Sequence, residues 1–207
     1  MQQMKLSTDK IVGVSKAIYT IIESIENDEV REKILVMFED VGERFFVAPA
    51  SNRANYHNCF PGGLAEHSLR VYSFLNKLSA EFGDDVIVDD NVKVVSILHD
   101  LGKVGTPTED YYLPQDSSWH QEKLGEYYLH NTSLMYLGTA QRSLRLCAQY
   151  NVPLTDEEYQ AILIHDGQYA DENVRYKQKE CRLALLLHHA DMLACQTEKE
   201  KYERVYG

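Results

Sequence analysis

Residues 62–82, GGLAEHSLRVYSFLNKLSAEF, decide the fold class. Leu64, Leu69, Val71, Leu75, Leu78 and Phe82 recur with helical rather than alternating spacing, and Pro61-Gly62-Gly63 just before them punctuates a helix start. Upstream, Ile11, Val14, Ile18, Ile21, Ile22 and Ile25 predict a helix over 8–26, with Thr8 or Asp9 as its cap. Val30, Ile34, Met37, Phe38 and Val41 predict a second over 29–41. The stretch 45–63 has two prolines, two glycines and no clean period, and reads as a loop that begins extended. Downstream, an acidic connector over 84–90 carries the short run Val86-Ile87-Val88. A helix over 91–101 follows, ended by Gly102, then a long loop over 103–117. Further helices are predicted at 119–132, 138–149, 156–167 (capped by Asp156) and 179–197, with a polar loop at 168–178. The fold class is all-α, a helical bundle in which a short β-hairpin within 104–114 is the one sheet to expect.

Composition agrees with one globular domain. The 207 residues are 44% hydrophobic and 26% charged, with only 11 Gly and 5 Pro, which excludes disordered and collagen-like chains. The formal net charge is −11 with no basic run, so duplex DNA is not an expected partner. A nucleotide, another phosphoester or a short single-stranded nucleic acid is not excluded by charge. Cys59, Cys147, Cys181 and Cys195 have no zinc-ribbon spacing and read as reduced thiols, which with the absence of a signal-like start suggests a cytoplasmic protein. No apolar run is long enough to span a membrane. The oligomeric state is open.

Chemistry concentrates in the eight histidines. In Leu98-His99-Asp100-Leu101-Gly102-Lys103 an imidazole stands beside a carboxylate at a helix end. Neighbours on a helix point about 100° apart, so one ion can use both only over the seam between them. His67 on the preceding helix and Asp191 on the last one could close a shell of two imidazoles and two carboxylates. Such a shell suits Mn, Fe, Ni, Mg or Zn ions without choosing among them. A lone His-Asp dipeptide is more often a hydrogen-bonded surface pair, and His165-Asp166 is a second one here. Ser68 and Cys59 lack a nucleophile-elbow setting.

The pattern His67, then His99-Asp100, then a distant Asp191 resembles the HD-domain superfamily of metal-dependent phosphohydrolases. FFVAPAS at 45–51, NYHNCFPGGLAEHSLRV at 55–71, LHDLGKVG at 98–105 and LHHADML at 187–193 are similar to the HD domain of bacterial 3′-to-5′ exoribonucleases. The resemblance implies an HD domain over 45–207, with 1–44 as a helical extension packed on it. It also implies a divalent ion on His67, His99, Asp100 and Asp191. A second ion would share Asp100 and add His120 and His165, and Asp166 would stand behind these ligands. The implied activity is hydrolysis of a nucleotide phosphomonoester or phosphodiester by metal-activated water. Alternatives are a 3′-to-5′ exonuclease on short single strands and a non-catalytic nucleotide sensor or partner-binding protein. The exoribonucleases carry an N-terminal nucleic-acid-binding β-barrel, whereas residues 1–44 read helical, which favours small substrates. Asp100, Lys103, His57 and Arg70 are the candidate catalytic residues, the last three for phosphate contact or proton transfer. His188, three residues before Asp191, is expected to hydrogen-bond behind the site. Tyr111 and Tyr169 are candidates for stacking on a base.

Overall fold

Side-chain caps and turn residues set where each helix begins and ends. In the computed structural model, which describes residues 6–83, 87–168 and 170–206, Ser7 accepts from the Lys10 amide and opens α1 (Thr8–Glu23). Asn27 does the same for α2 (Asp28–Val47), whose first turn carries Asp28 and Glu29 at the positive end of the helix dipole. Thr155, rather than Asp156, caps α7 (Asp156–Leu163), in a reciprocal pair with Glu158. The remaining helices are α3 (Gly63–Phe82), α4 (Asp89–Leu98), α5 (Ser118–Leu124), α6 (Thr139–Gln149) and α8 (Arg182–Tyr206). Short 3-10 turns occupy Leu101–Val104 and Asp171–Tyr176. Val86 in the acidic connector and Tyr169 lie outside the described residues.

α3 is the hub, packing against α1, α2, α4 and α8. One core runs through all of these. Ile18, Ile22, Ile34, Met37, Phe45, Leu64, Leu75, Ile97 and Leu98 are all essentially without exposure. Residues 6–47 contribute to that same core, and α2 runs unbroken through residues 44 and 45. Among the described residues no helix is long and apolar enough to cross a membrane.

Besides caps and helix ends, the sequence expectations shift in three places. Residues 45–47 are helical, not extended, because Phe45 and Phe46 join an aromatic cluster with Tyr19 and Phe38 that is worth burying. The helix then stops at Ala48 (φ −63°, ψ 145°), which Pro49 holds in the extended region. The helix expected over 119–132 ends at Leu124, since Gly125 adopts the left-handed conformation (φ 62°). The chain then turns into a strand. The sheet is accordingly not a hairpin within 104–114: β1 (Tyr112–Pro114) pairs antiparallel with β2 (Tyr128–His130), with Tyr112 opposite His130, and α5 sits between the strands in sequence.

Gly102 marks the closest approach between the turn at Leu101–Val104 and α6. A Cβ there would lie 2.2 Å from the Thr139 carbonyl oxygen and 2.9 Å from Ser143 N, both backbone atoms that cannot rotate away. Gly102→Ala is expected to cost about 3 kcal/mol, near the upper end for an overpacked core. Gly13→Ala, on the exposed face of α1 with nothing within 4 Å, is expected to stabilise by about 0.5–1 kcal/mol. Urea denaturation of the two variants checks both signs.

Candidate metal centre

Four segments converge on Asp100. The first is the loop of residues 48–62 folded over the start of α3, tied by Ala50 N to Asn58 O and by Ser51 Oγ donating to His57 O at 2.6 Å. Gly63 is required there, because a Cβ would stand 2.0 Å from the Asn58 carbonyl oxygen. This arrangement stacks the His57 ring 4.8 Å, centroid to centroid, from His67 on α3.

The second segment is the end of α4. His99 keeps helical dihedrals, but Asp100 (φ −103°, ψ 8°) leaves the helix. That backbone change is how two adjacent residues face one point: His99 Nε2 lies 3.6 Å from Asp100 Oδ2. Ser143 on α6 locks the turn, its hydroxyl donating to His99 O and accepting from Gly102 N. The third segment is the turn after α7, where His165 Nε2 comes within 3.4 Å of Asp100 Oδ1. The fourth is α8, where Asp191 Oδ1 lies 3.1 Å from His67 Nε2.

Each imidazole is held by its Nδ1–H. His99 donates to Ser96 O at 3.0 Å and His165 to Ile162 O at 2.8 Å. Both acceptors belong to the last turn of a helix, where carbonyls lack an intrahelical partner. His67 sits one turn into α3, where no such carbonyl is free, and donates instead to Glu198 Oε2 at 3.1 Å. The other oxygen of Glu198 accepts from Arg70 Nε at 3.0 Å. Glu198 is missing from the sequence reading because the last helix was expected to end at 197. The available signal was polar: His188, Asp191, Cys195 and Glu198 recur at steps of three and four, one stripe along α8.

The Nε2 atoms of His57 and His99 are buried without a hydrogen-bond partner, and that of His67 faces only the carboxylates of Asp191 and Asp100, at 3.1 and 3.6 Å. Orphaned buried nitrogens are costly, and the Nε2 atoms of His67 and His99 beside two carboxylates form a donor set that fits a divalent cation. Nε2 and carboxylate atoms of His67, His99 and Asp191 can all lie within 4.8 Å of one another, and so can ligand atoms of His57, His67 and Cys195. The two groups share His67.

Electrostatics match that picture. Burial opposes charge on Asp100, but Lys103 Nζ at 2.6 Å and the imidazoles hold its carboxyl well below the usual range. Burial also opposes charge on Asp191, yet the bond to His67 pulls its carboxyl down. Burial disfavours the imidazolium of His67, but Glu198 and Asp191 outweigh it and raise the group to about 10. His165 is raised to about 9, burial again being overcome by Asp100. His99 is lowered to about 4 by burial with help from His165, and His57 is lowered by burial and Lys103. Without metal, Lys103 and the raised imidazoles of His67 and His165 thus favour the charged carboxylates.

The other candidates lie as follows. Lys103 is anchored on Asp100. Arg70 is engaged by Glu198, with Glu66 at 3.7 Å. His120, on α5, bonds Ser117 Oγ at 2.8 Å and meets the Trp119 ring, and none of its described contacts is with this cluster. Asp166 is largely exposed, 3.9 Å from His165 Nε2. His188 donates to the His165 carbonyl at 2.9 Å, and its ring closes over Gly167, where a Cβ would lie 2.2 Å away. Tyr111 packs with Tyr112 and His130 under the Arg142 guanidinium.

A family model for the HD domain matches residues 64–195, well over half of the chain. The chain belongs to the HD-domain family. Its helical bundle with a buried His/Asp cluster is the arrangement of a metal-dependent hydrolase. No curated protein and no solved structure matched the chain. Lys10, His57 and Glu198 stand outside the stretch that the HD model matches.

The raised imidazoles set the pH dependence of the metal-free HD domain. A raised pKa stabilises fully below the unfolded value of 6.5 and is lost as pH climbs through the folded values of about 9 and about 10. The melting temperature in chelator is expected to fall between pH 7 and pH 9. A flat or rising profile by circular dichroism contradicts the protonation of His67 and His165.

Proposed function

We propose that the protein hydrolyses a phosphomonoester or phosphodiester of a small nucleotide, using a divalent metal centre on His67, His99, Asp100 and Asp191. The observation that carries this reading is the convergence of the buried imidazole Nε2 atoms of His67 and His99 on the carboxylates of Asp100 and Asp191. A divalent ion bound there supplies a water acidified towards neutral pH and positive charge for the phosphoryl oxygens. Everything else is done by the chain. Asp100 turns Oδ2 towards His67 and His99 and Oδ1 towards His165, so a second ion would share Asp100 and add His165. His120, its Nδ1 held by Ser117 Oγ at 2.8 Å, would offer its Nε2 as a further ligand. Lys103 gives one of its three N–H donors to Asp100 and keeps the others for a phosphoryl oxygen. His57, neutral at pH 7, is placed to hold or move a proton at Nε2. Arg70 acts on Glu198 in this reading, not on phosphate.

Small substrates are favoured by two features. The net charge of −11 comes without a basic run to follow a nucleic-acid backbone. A cavity of about 530 Å³, lined by Tyr56, His57, Cys195, Gln196 and Lys199 among others, opens beside the centre and is of mononucleotide size. The 3′-to-5′ exonuclease reading keeps the support of residues 45–51 and 55–71, which are similar to the exoribonucleases.

Phosphate release from a panel of nucleoside monophosphates, and chromatographic detection of the linear dinucleotide or mononucleotide products of cyclic dinucleotides, both with Mn²⁺, test the reading. Turnover is expected, falling at least about 10³-fold in Asp100→Asn, the scale on which a transition-state charge stabiliser acts. Stepwise shortening of a labelled single strand, with no product from either half of the panel, would favour the exonuclease. Metal uptake with neither activity would favour a sensor.

A further inference from the structure

We infer that Glu198 is the positioning carboxylate of the centre: it fixes the proton of His67 on Nδ1 so that Nε2 presents a lone pair to the ion. This rests on the metal reading above and adds a residue that neither the HD motif nor the family match includes.

The argument is one of hydrogen-bond valence. A carboxylate paired with a guanidinium accepts and does not donate. Glu198 Oε1 receives Arg70 Nε at 3.0 Å, so Oε2, 3.1 Å from His67 Nδ1, obliges that nitrogen to carry hydrogen. A neutral imidazole has one N–H, and fixing it on Nδ1 bares Nε2, the atom that faces Asp191 at 3.1 Å and Asp100 at 3.6 Å. His99 and His165 reach the same state with backbone carbonyls, whereas His67 alone among these three needs a side chain from another helix. A charged acceptor also makes the ligand more basic than a carbonyl does, so the strongest donor of the set should be His67.

Glu198 is completely buried and needs its own support. Arg70 gives it directly. Behind Arg70 stands Glu66, which also pairs with Lys10 of α1 at 2.7 Å and with Lys201 at 3.5 Å. The chain of charges therefore runs from α1 through α3 and α8 to a metal ligand. Its outer link is weak: Lys10 is 45% exposed and screened by solvent, so its loss should move metal affinity far less than the loss of Glu198.

Glu198→Gln tests the inference, because the amide keeps the size but has a single acceptor for two donors. If its NH₂ faces His67, the ring proton is driven to Nε2 and blocks the ion. If its oxygen faces His67, the NH₂ opposes Arg70. Mn²⁺ affinity, read from the free-ion resonance, is expected to fall about 10- to 100-fold, with Lys10→Met close to wild type. The second measurement needs no variant: long-range ¹H–¹⁵N correlation on the Zn²⁺-loaded wild type should show His67 protonated at Nδ1 and bound through Nε2. A folded Glu198→Gln with unchanged affinity, or His67 bound through Nδ1, overturns the inference while the metal centre stands. A wild type that takes up no metal overturns both.

Discussion

The structure depends on a charge problem at its centre. Asp100 and Asp191 are carboxylates drawn into the interior, where an uncompensated charge is not sustainable. The fold answers with groups from four directions: His67 from α3, His99 and Lys103 from the end of α4, His165 from the turn after α7, and Arg70 behind Glu198. In the metal-free protein Lys103 and the raised imidazoles of His67 and His165 favour the carboxylate charges, and a divalent ion would take the place of a proton at His67 Nε2. Binding and protonation are thus two solutions to one requirement.

That requirement explains features that look unrelated in the chain. α4 must stop at Leu98 so that Asp100 can leave the helix and share a point with His99. Gly102 must lack a side chain so that α6 can approach and Ser143 can bond both His99 O and Gly102 N. Gly167 must be bare so that His188 can reach the His165 carbonyl. α8 must continue past Asp191 by two turns, since Glu198 is the acceptor that α3 cannot provide for its own histidine.

Much of this was legible before any coordinates. Helical spacing read the bundle correctly, and the HD pattern named His67, His99, Asp100, His165 and Asp191, residues that the fold brings together. Boundaries were harder where tertiary contacts outweigh local signals. Phe45 and Phe46 extend α2 because an aromatic cluster awaits them, although the loop-like composition around them pointed the other way. Tyr128–His130 becomes a strand after a glycine stop that the sequence did contain at Gly125. Glu198 was hidden by an apolar periodicity that fades near residue 197, while the polar stripe of which it is the last member continues. Arg70, a candidate for phosphate contact on sequence, is engaged by Glu198, a partner 128 residues away that no local pattern reveals. His120 is named by the resemblance alone, and its Nδ1 is held by Ser117 at the start of its own helix.

The most direct test of the centre is anomalous scattering at the zinc edge from crystals soaked in Zn²⁺. The account predicts a peak about 2.0–2.2 Å from His67 Nε2, His99 Nε2 and oxygens of Asp100 and Asp191. A peak instead among His57, His67 and the Cys195 thiol, or no peak at all, would contradict it.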